Sequence, residues 1–211
     1  MSRHRSPLLE QSSLHVYSCR LKNVVARMRR KNIGGFLITN LDNIRYLTGF
    51  TGSSGMLLIT KKETYFMTDF RYKEQADIEV KEACIIIVKG DLGKTIKTIS
   101  KKTDIRALGI ESSLTYGLFQ KLSKMKLFLR PCEGVIERLR AIKDDLEVRK
   151  IKEAVRRAEA AFLQVRPYMK SGVRERAIAL RLEENLKKNG CRRIPFEVIV
   201  ASGPHAAGAG L

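Results

Sequence analysis

No stretch of this 211-residue chain is apolar for long enough to cross a bilayer. The longest run, Ala83-Cys84-Ile85-Ile86-Ile87-Val88, falls far short of the roughly 20 residues a membrane helix needs. The first thirteen residues, MSRHRSPLLEQSS, carry basic side chains but no apolar segment of about 7–15 residues, so no secretory signal is read there and a cytoplasmic, membrane-free protein is expected. Cysteine is sparse: Cys19, Cys84, Cys132 and Cys191 are scattered without a C-x-x-C pair, which excludes a zinc knuckle or dithiol redox motif and leaves reduced thiols as the expectation. Histidine is scarcer still. His4 and His15 read as solvated, His205 lies in a Gly/Ala-rich stretch where it alone cannot form a metal site, and none is paired with a second histidine four residues away. With 15 Gly and 5 Pro the chain is not collagen-like or of low complexity. What remains is a soluble folded chain long enough for one or two cored domains.

Charge is the one extreme: 41 Lys and Arg against 22 Asp and Glu give a formal +19. An anionic partner such as nucleic acid is the obvious reading. The excess is spread along the chain, however, with 27 cations against 13 carboxylates in residues 1–143 and 14 against 9 in residues 144–211. Its one cluster, Arg27-Met28-Arg29-Arg30-Lys31, closes a helical pattern of Leu14, Tyr17, Leu21, Val24, Val25 and Met28, where cations suit the negative end of the helix dipole. No basic stripe is interleaved with aromatics, so nucleic acid is set aside as the weakest alternative.

Short apolar segments then alternate with helical ones. Strands are expected at 35–39, 84–88, 107–110 and 127–129, a hairpin at 56–60 and 64–68 around Lys61-Lys62-Glu63, and helices at 71–79, 92–102 and 116–124. Such alternation predicts an α/β layered domain with a mixed sheet over residues 14–132, after a flexible tail at 1–13. A linker at 133–143 leads to Asp144-Asp145-Leu146-Glu147, which reads as a capping box. Beyond it, Ile151, Val155, Ala158, Phe162, Val165 and Met169 form one stripe of a long helix expected to fray at Pro167. A second helix at 174–189 and an alternating strand at 196–201 complete a helix-helix-strand start, over 144–211, of a further domain.

The glycine-rich segment Leu47–Gly55 does not run into Gly-Lys-Ser/Thr, so it is not a P-loop. Asn43-Ile44-Arg45-Tyr46-Leu47-Thr48-Gly49-Phe50-Thr51-Gly52-Ser53, followed by Thr68-Asp69-Phe70-Arg71-Tyr72, instead resembles the N-terminal domain of the aminopeptidase P, prolidase and creatinase family. Leu139-Arg140-Ala141-Ile142-Lys143 is similar to that family's junction into its catalytic domain, and Phe196 through Gly203 to the first strand of its pita-bread fold. The resemblance implies an Xaa-Pro aminopeptidase or dipeptidase, cleaving short peptides before proline with two divalent ions, manganese or cobalt, that activate a bridging water. The family's ligands, two aspartates, a histidine and two glutamates, match no residues here, so no metal is expected on this chain and inactivity alone is the expectation. Aligned without gaps, the family's Pro-His falls on Ala209 and Gly210, His205 does not take that role, and Gly208–Leu211 reads as altered sequence at a premature end. Self-association, or pairing with a full-length relative as a non-enzymatic module, is the alternative. The motif positions Asn43, Tyr46, Gly49, Phe50, Asp69 and Arg71 are expected to be structural, Asp69 pairing with an arginine and Tyr46 packing under the glycine loop, with substrate contact as the competing role.

Overall fold

The computed structural model describes residues 7–207 apart from residues 192 and 195, and it divides into two compact units, residues 1–142 and 143–211. In the first, α1 (Pro7–Arg30), β1 (Gly35–Ile38), α2 (Leu41–Thr48), β2 (Met56–Thr60), β3 (Thr64–Thr68), α3 (Lys73–Glu79), β4 (Cys84–Ile87), α4 (Leu92–Lys102), β5 (Ala107–Ile110), α5 (Tyr116–Ser123), β6 (Phe128–Pro131) and α6 (Val135–Ala141) follow one another. The strands form one sheet in the order β4-β3-β2-β1-β5-β6. β2 is antiparallel to β1 and β3, while β3 with β4, β1 with β5 and β5 with β6 are parallel, so the sheet is mixed and β2 runs against the rest.

Successive residues of a strand point to opposite faces, and here both faces are covered. On one, Phe36, Ile38, Leu57, Ile59 and Phe66 pack with Val24 and Met28 of α1, Ile44 and Leu47 of α2 and Val135 and Ile136 of α6. On the other, Leu37, Leu58, Met67, Leu108 and Ile110 pack with Ile96 and Ile99 of α4 and Leu122 of α5. The result is a helix-sheet-helix sandwich. Its parallel strands end at one rim, which carries Thr39, Asp69, Glu111 and the glycine-rich loop feeding β2, and begin at the opposite rim.

The second unit packs α7 (Asp145–Val165) against α8 (Glu175–Lys188) around Ala161, Val165 and Ile178. Asp144 and Glu147 form the expected capping box: the Asp144 carboxylate accepts from the Glu147 N–H at 2.9 Å and Glu147 reaches back to the Asp144 N–H at 3.2 Å. At Pro167 the α-helix gives way to a single 3₁₀ turn, as the missing N–H and ring clash require. Arg157 donates to the Gly190 carbonyl at 2.8 Å and Asn189 to the Gln164 side chain at 3.1 Å, tying the two helices at the end of α8.

Three expectations are corrected. Residues 7–13 are helical rather than a loose tail, because Pro7 at the first helical position gives up an N–H that has no partner there anyway; residues 1–6 with His4, and the reading of 208–211, lie outside the described residues. The stretch taken for a linker holds α6, whose buried Val135 and Ile136 belong to the first core. Residues 196–201 carry no ladder, Phe196 and Ile199 being about three-quarters exposed: a strand needs a neighbour to hydrogen-bond, and among the described residues the second unit has none.

Candidate functional site

The recognised motif begins with a helix that periodicity alone did not reveal. Asn40 caps α2, its side-chain oxygen accepting from the N–H groups of Asp42 and Asn43 at 2.9 and 3.2 Å. Gly49, at φ +86°, ends it by returning its N–H to the Arg45 carbonyl at 2.9 Å. Two turns is all the helix has, enough to bury Ile44 and Leu47 and to aim Asn43 inward.

Asn43 is fully buried at the centre of a polar clamp. Its amide nitrogen donates to Glu111 Oε1 and to Glu137 Oε1, both at 2.7 Å, and its oxygen accepts from Arg140 Nη1 at 2.8 Å. The other Glu111 oxygen accepts from the N–H groups of Thr39 and Asn40 at 2.6 and 2.8 Å. One buried carboxylate thus fastens the end of β1, the start of α2 and the end of β5, and Asn43 extends the fastening to α6. Both oxygens of the buried Glu111 and both ends of the Asn43 amide are engaged by fixed partners, so these two residues position elements, while Glu137 is exposed at the edge of the cluster. Sequence reasoning flagged Asn43 but missed Glu111 and Glu137; the available signal was an acid directly after the apolar strand Ala107–Ile110.

The glycine-rich loop follows. The Phe50 ring is buried with its centroid 4.6 Å from that of Phe66 and 5.9 Å from that of Tyr72, edge-on. A Cβ on Gly52 would stand 2.3 Å from the Phe50 ring, so only glycine lets the loop lie flat there. Thr51 donates its N–H and hydroxyl to Glu79 at 2.7 and 2.8 Å, the Ser53 and Tyr72 hydroxyls meet at 2.6 Å, and Thr68 donates to the Ser54 carbonyl at 2.7 Å. Asp69 accepts from the Arg71 backbone at 3.0 Å, from its Nε and Nη2 at 2.9 Å and from the Ser54 hydroxyl at 3.2 Å. Hydrogen bonding from the Arg71 guanidinium holds the Asp69 carboxyl down at about 2. The expected aspartate–arginine pair is present. Tyr46 is placed differently: the Arg20 guanidinium lies 4.0 Å from its ring centroid and donates to its carbonyl at 2.6 Å, and the rings behind the glycine loop are Phe50 and Tyr72. Phe70 and Arg71 project outward, about four-fifths and two-thirds exposed, and Arg45, Thr51 and Ser53 of the motif are exposed as well.

In the second unit Glu175 gathers Ser202 and His205. One carboxylate oxygen accepts from the Ser202 N–H and hydroxyl at 2.6 and 2.9 Å; the other lies 3.3 Å from His205 Nδ1. The Ser202 N–H, then its hydroxyl and His205, lower the Glu175 carboxyl below its usual range. His205 touches the carboxylate and not the hydroxyl, so this is no nucleophile–base pair. One imidazole and one carboxylate also fall short of a metal's ligand set, and among the described residues no group of three or more His, Cys, Asp or Glu could hold an ion. The donor set here does not fit a dinuclear metal centre.

Comparison with known proteins covers both units. The family model for the creatinase/prolidase N-terminal domain matches residues 20–142, and that for metallopeptidase family M24 matches residues 149–209. The chain is 38% identical over 187 residues to the uncharacterized peptidase YqhT of Bacillus subtilis, covering 87% of this chain and 52% of that protein. It superposes with a TM-score of 0.86 on an Xaa-Pro dipeptidase from Bacillus anthracis at 33% identity, and with 0.78 on an X-Pro aminopeptidase from Thermotoga maritima at 31%. These span 90% and 86% of this chain, and 54% of each solved chain. The chain spans about half the length of the curated relatives it matches.

Proposed function

Because the chain belongs to the creatinase/prolidase family, its first unit being the family's N-terminal domain and its second matching metallopeptidase family M24, we propose that it serves the hydrolysis of peptide bonds before proline. The observation that carries this is one continuous match: the similarity to the Bacillus anthracis dipeptidase runs through both units over 90% of the chain. Within that reading, these 211 residues supply the first domain and the opening helices of the peptidase domain. The clamp at Asn43 holds α6 to the sheet next to the junction, and Phe70 with Arg71 offers an aromatic face and a cation to a short peptide.

The 211 residues are catalytically silent by themselves. What supports this is the donor set: Glu175 and His205 are one carboxylate and one imidazole, fewer groups than two activating metal ions would need, and they match none of the family's ligand positions. Incubating the purified chain with manganese or cobalt and an Xaa-Pro dipeptide or tripeptide should release no product above a metal-free blank; metal-dependent hydrolysis overturns this part of the reading. A second reading, a self-associating module, is favoured by the exposed stripe Val148, Ile151, Val155 and Phe162 on α7. Light scattering on an eluting size-exclusion peak separates the two: a defined oligomer supports it and a monomer removes it.

A further inference from the structure

The basic excess that is spread along the sequence is gathered by the topology. In a sheet of parallel strands joined by helices, each helix ends where the next strand begins, so helix C-termini collect at the rim where strands start. α1 delivers exposed Arg29, Arg30 and Lys31 to that rim. α4 delivers Lys101 and Lys102, and α5 is followed by Lys124 and Lys126, all exposed. β2 runs against the others, so its hairpin with β3 turns at the same rim and adds Lys61 and Lys62. Arg106, just before β5, and Arg130, third in β6 but reaching back to donate to the Lys31 carbonyl at 2.9 Å, complete the row. The carboxylates among them are few: Glu63 accepts from the Tyr65 hydroxyl, Asp104 faces Arg106 at 3.6 Å, and Glu82 is exposed.

Shape adds to charge. One groove of about 600 Å³ runs between α1 and the hairpin turn, lined by Lys22, Arg29, Lys61 and Lys62. A second, of about 510 Å³, is lined by Arg106, Phe128 and Arg130 and shares Lys61 with the first. Phe128 is about two-thirds exposed, with the Arg130 guanidinium 5.3 Å from its ring centroid.

We propose that this rim binds single-stranded nucleic acid. The cations meet successive phosphates along a row that runs from β3 to β6, five strands at ~4.8 Å spacing, about 19 Å in all. Phe128 offers a face on which a base stacks, an interaction that a duplex, with its bases paired inside, does not use. Two hollows that share Lys61 in their lining suit a strand passing from one to the other more than the flat headgroup surface of a membrane. The dipole explains why each helix ends in cations, but not the cations of the hairpin turn nor the exposed ring among them.

The test is anisotropy of a fluorescein-labelled 20-nucleotide single strand titrated with the full chain. Contact with about four phosphates makes affinity fall about 50-fold between 50 and 200 mM salt. Lys61→Glu/Lys62→Glu should weaken binding at least about tenfold, whereas Lys89→Glu/Lys94→Glu, the same change in net charge at the opposite rim, should change it less than about twofold. Phe128→Ala should weaken the single strand and leave any duplex binding unchanged. Circular dichroism confirms that each variant is folded. The proposal is overturned by no binding at 50 mM salt, by equal losses from the two charge-reversed pairs, by preference for a duplex of the same length, or by binding to phosphatidylserine vesicles without binding to the oligonucleotide.

Discussion

Replacing Asn43 separates a structural clamp from a group held ready for chemistry. Asn43→Ala removes two donated bonds to carboxylates and one accepted from a guanidinium. The bond to Glu111 is the costly loss, since a charge-assisted bond contributes about 1.5–3 kcal/mol and this carboxylate is 6% exposed, with little access to replacement water. Glu137 is exposed and Arg140 half-buried, so each regains water and their bonds add about 0.5 kcal/mol apiece. The sum is about 3 kcal/mol, a large share of the 5–15 kcal/mol typical of a domain. With a urea slope of about 2 kcal/mol/M, the midpoint of the first unit should fall by about 1.5 M. Asn43→Asp keeps the shape but turns the donor into a third carboxylate beside two others, so at pH 7 it should cost more than alanine does. Protonating the introduced carboxylate restores an O–H donor, so the deficit relative to the parent should shrink as pH falls from 7 toward 4. Urea unfolding followed by circular dichroism measures all three chains. A loss under about 1 kcal/mol for Asn43→Ala, or an Asn43→Asp chain at least as stable as Asn43→Ala at pH 7, refutes the clamp.

Other residues give independent checks. Asp69, held at about 2 by Arg71, contributes stability that is present above the usual carboxylate pKa near 4 and is lost as pH falls from about 4 to about 2. Carbon-13 NMR titration of its carboxyl should show that midpoint, and Arg71→Ala should bring it back toward 3.8. Hydrogen bonding to Glu63, with burial adding to it, raises the Tyr65 phenol to about 12; its contribution is complete below pH 10 and lost as pH rises from about 10 to about 12. Glu63→Gln should move that ionisation, read by ultraviolet difference absorbance, back toward 10.0. Gly49→Ala should cost about 1–3 kcal/mol in urea unfolding, because φ is +86° and the new Cβ would stand 2.9 Å from the Tyr17 hydroxyl. A Gly49→Ala chain as stable as the parent would show that the turn relaxes.

What the sequence made legible were features whose cause is local. The hairpin around Lys61-Lys62-Glu63, the capping box at Asp144 and the Asp69–Arg71 pair each depend on residues within five positions, and all are present. The α2 helix was hidden because eight residues give two turns, too few for a period to stand out, although Asn40 and Gly49 mark its ends. Glu111 was hidden for a different reason: its partners lie 68 to 72 residues away, and an acid after a strand looks the same whether solvated or buried. The alternation of Phe196–Ala201 was real, but alternation states only that a segment suits a sheet and not that a sheet is there to receive it. Charge was legible only as a count along the chain, which does not register that helix ends and a hairpin turn share a rim.

The clamp around Asn43 also sets a timetable for synthesis. β1 pairs with β2 within 25 residues, so a ribosome that has released the chain as far as β4 has released four of the six strands in sheet order. Glu111 and Arg140 come 68 and 97 residues after Asn43. Until they emerge, the Asn43 side chain has neither partner, and the open side of β1 waits for β5. The nascent first domain therefore has four of its six strands but no latch until β5 and Glu111 emerge, and the latch is complete only with Arg140, at about the moment the helices of the second unit begin to appear.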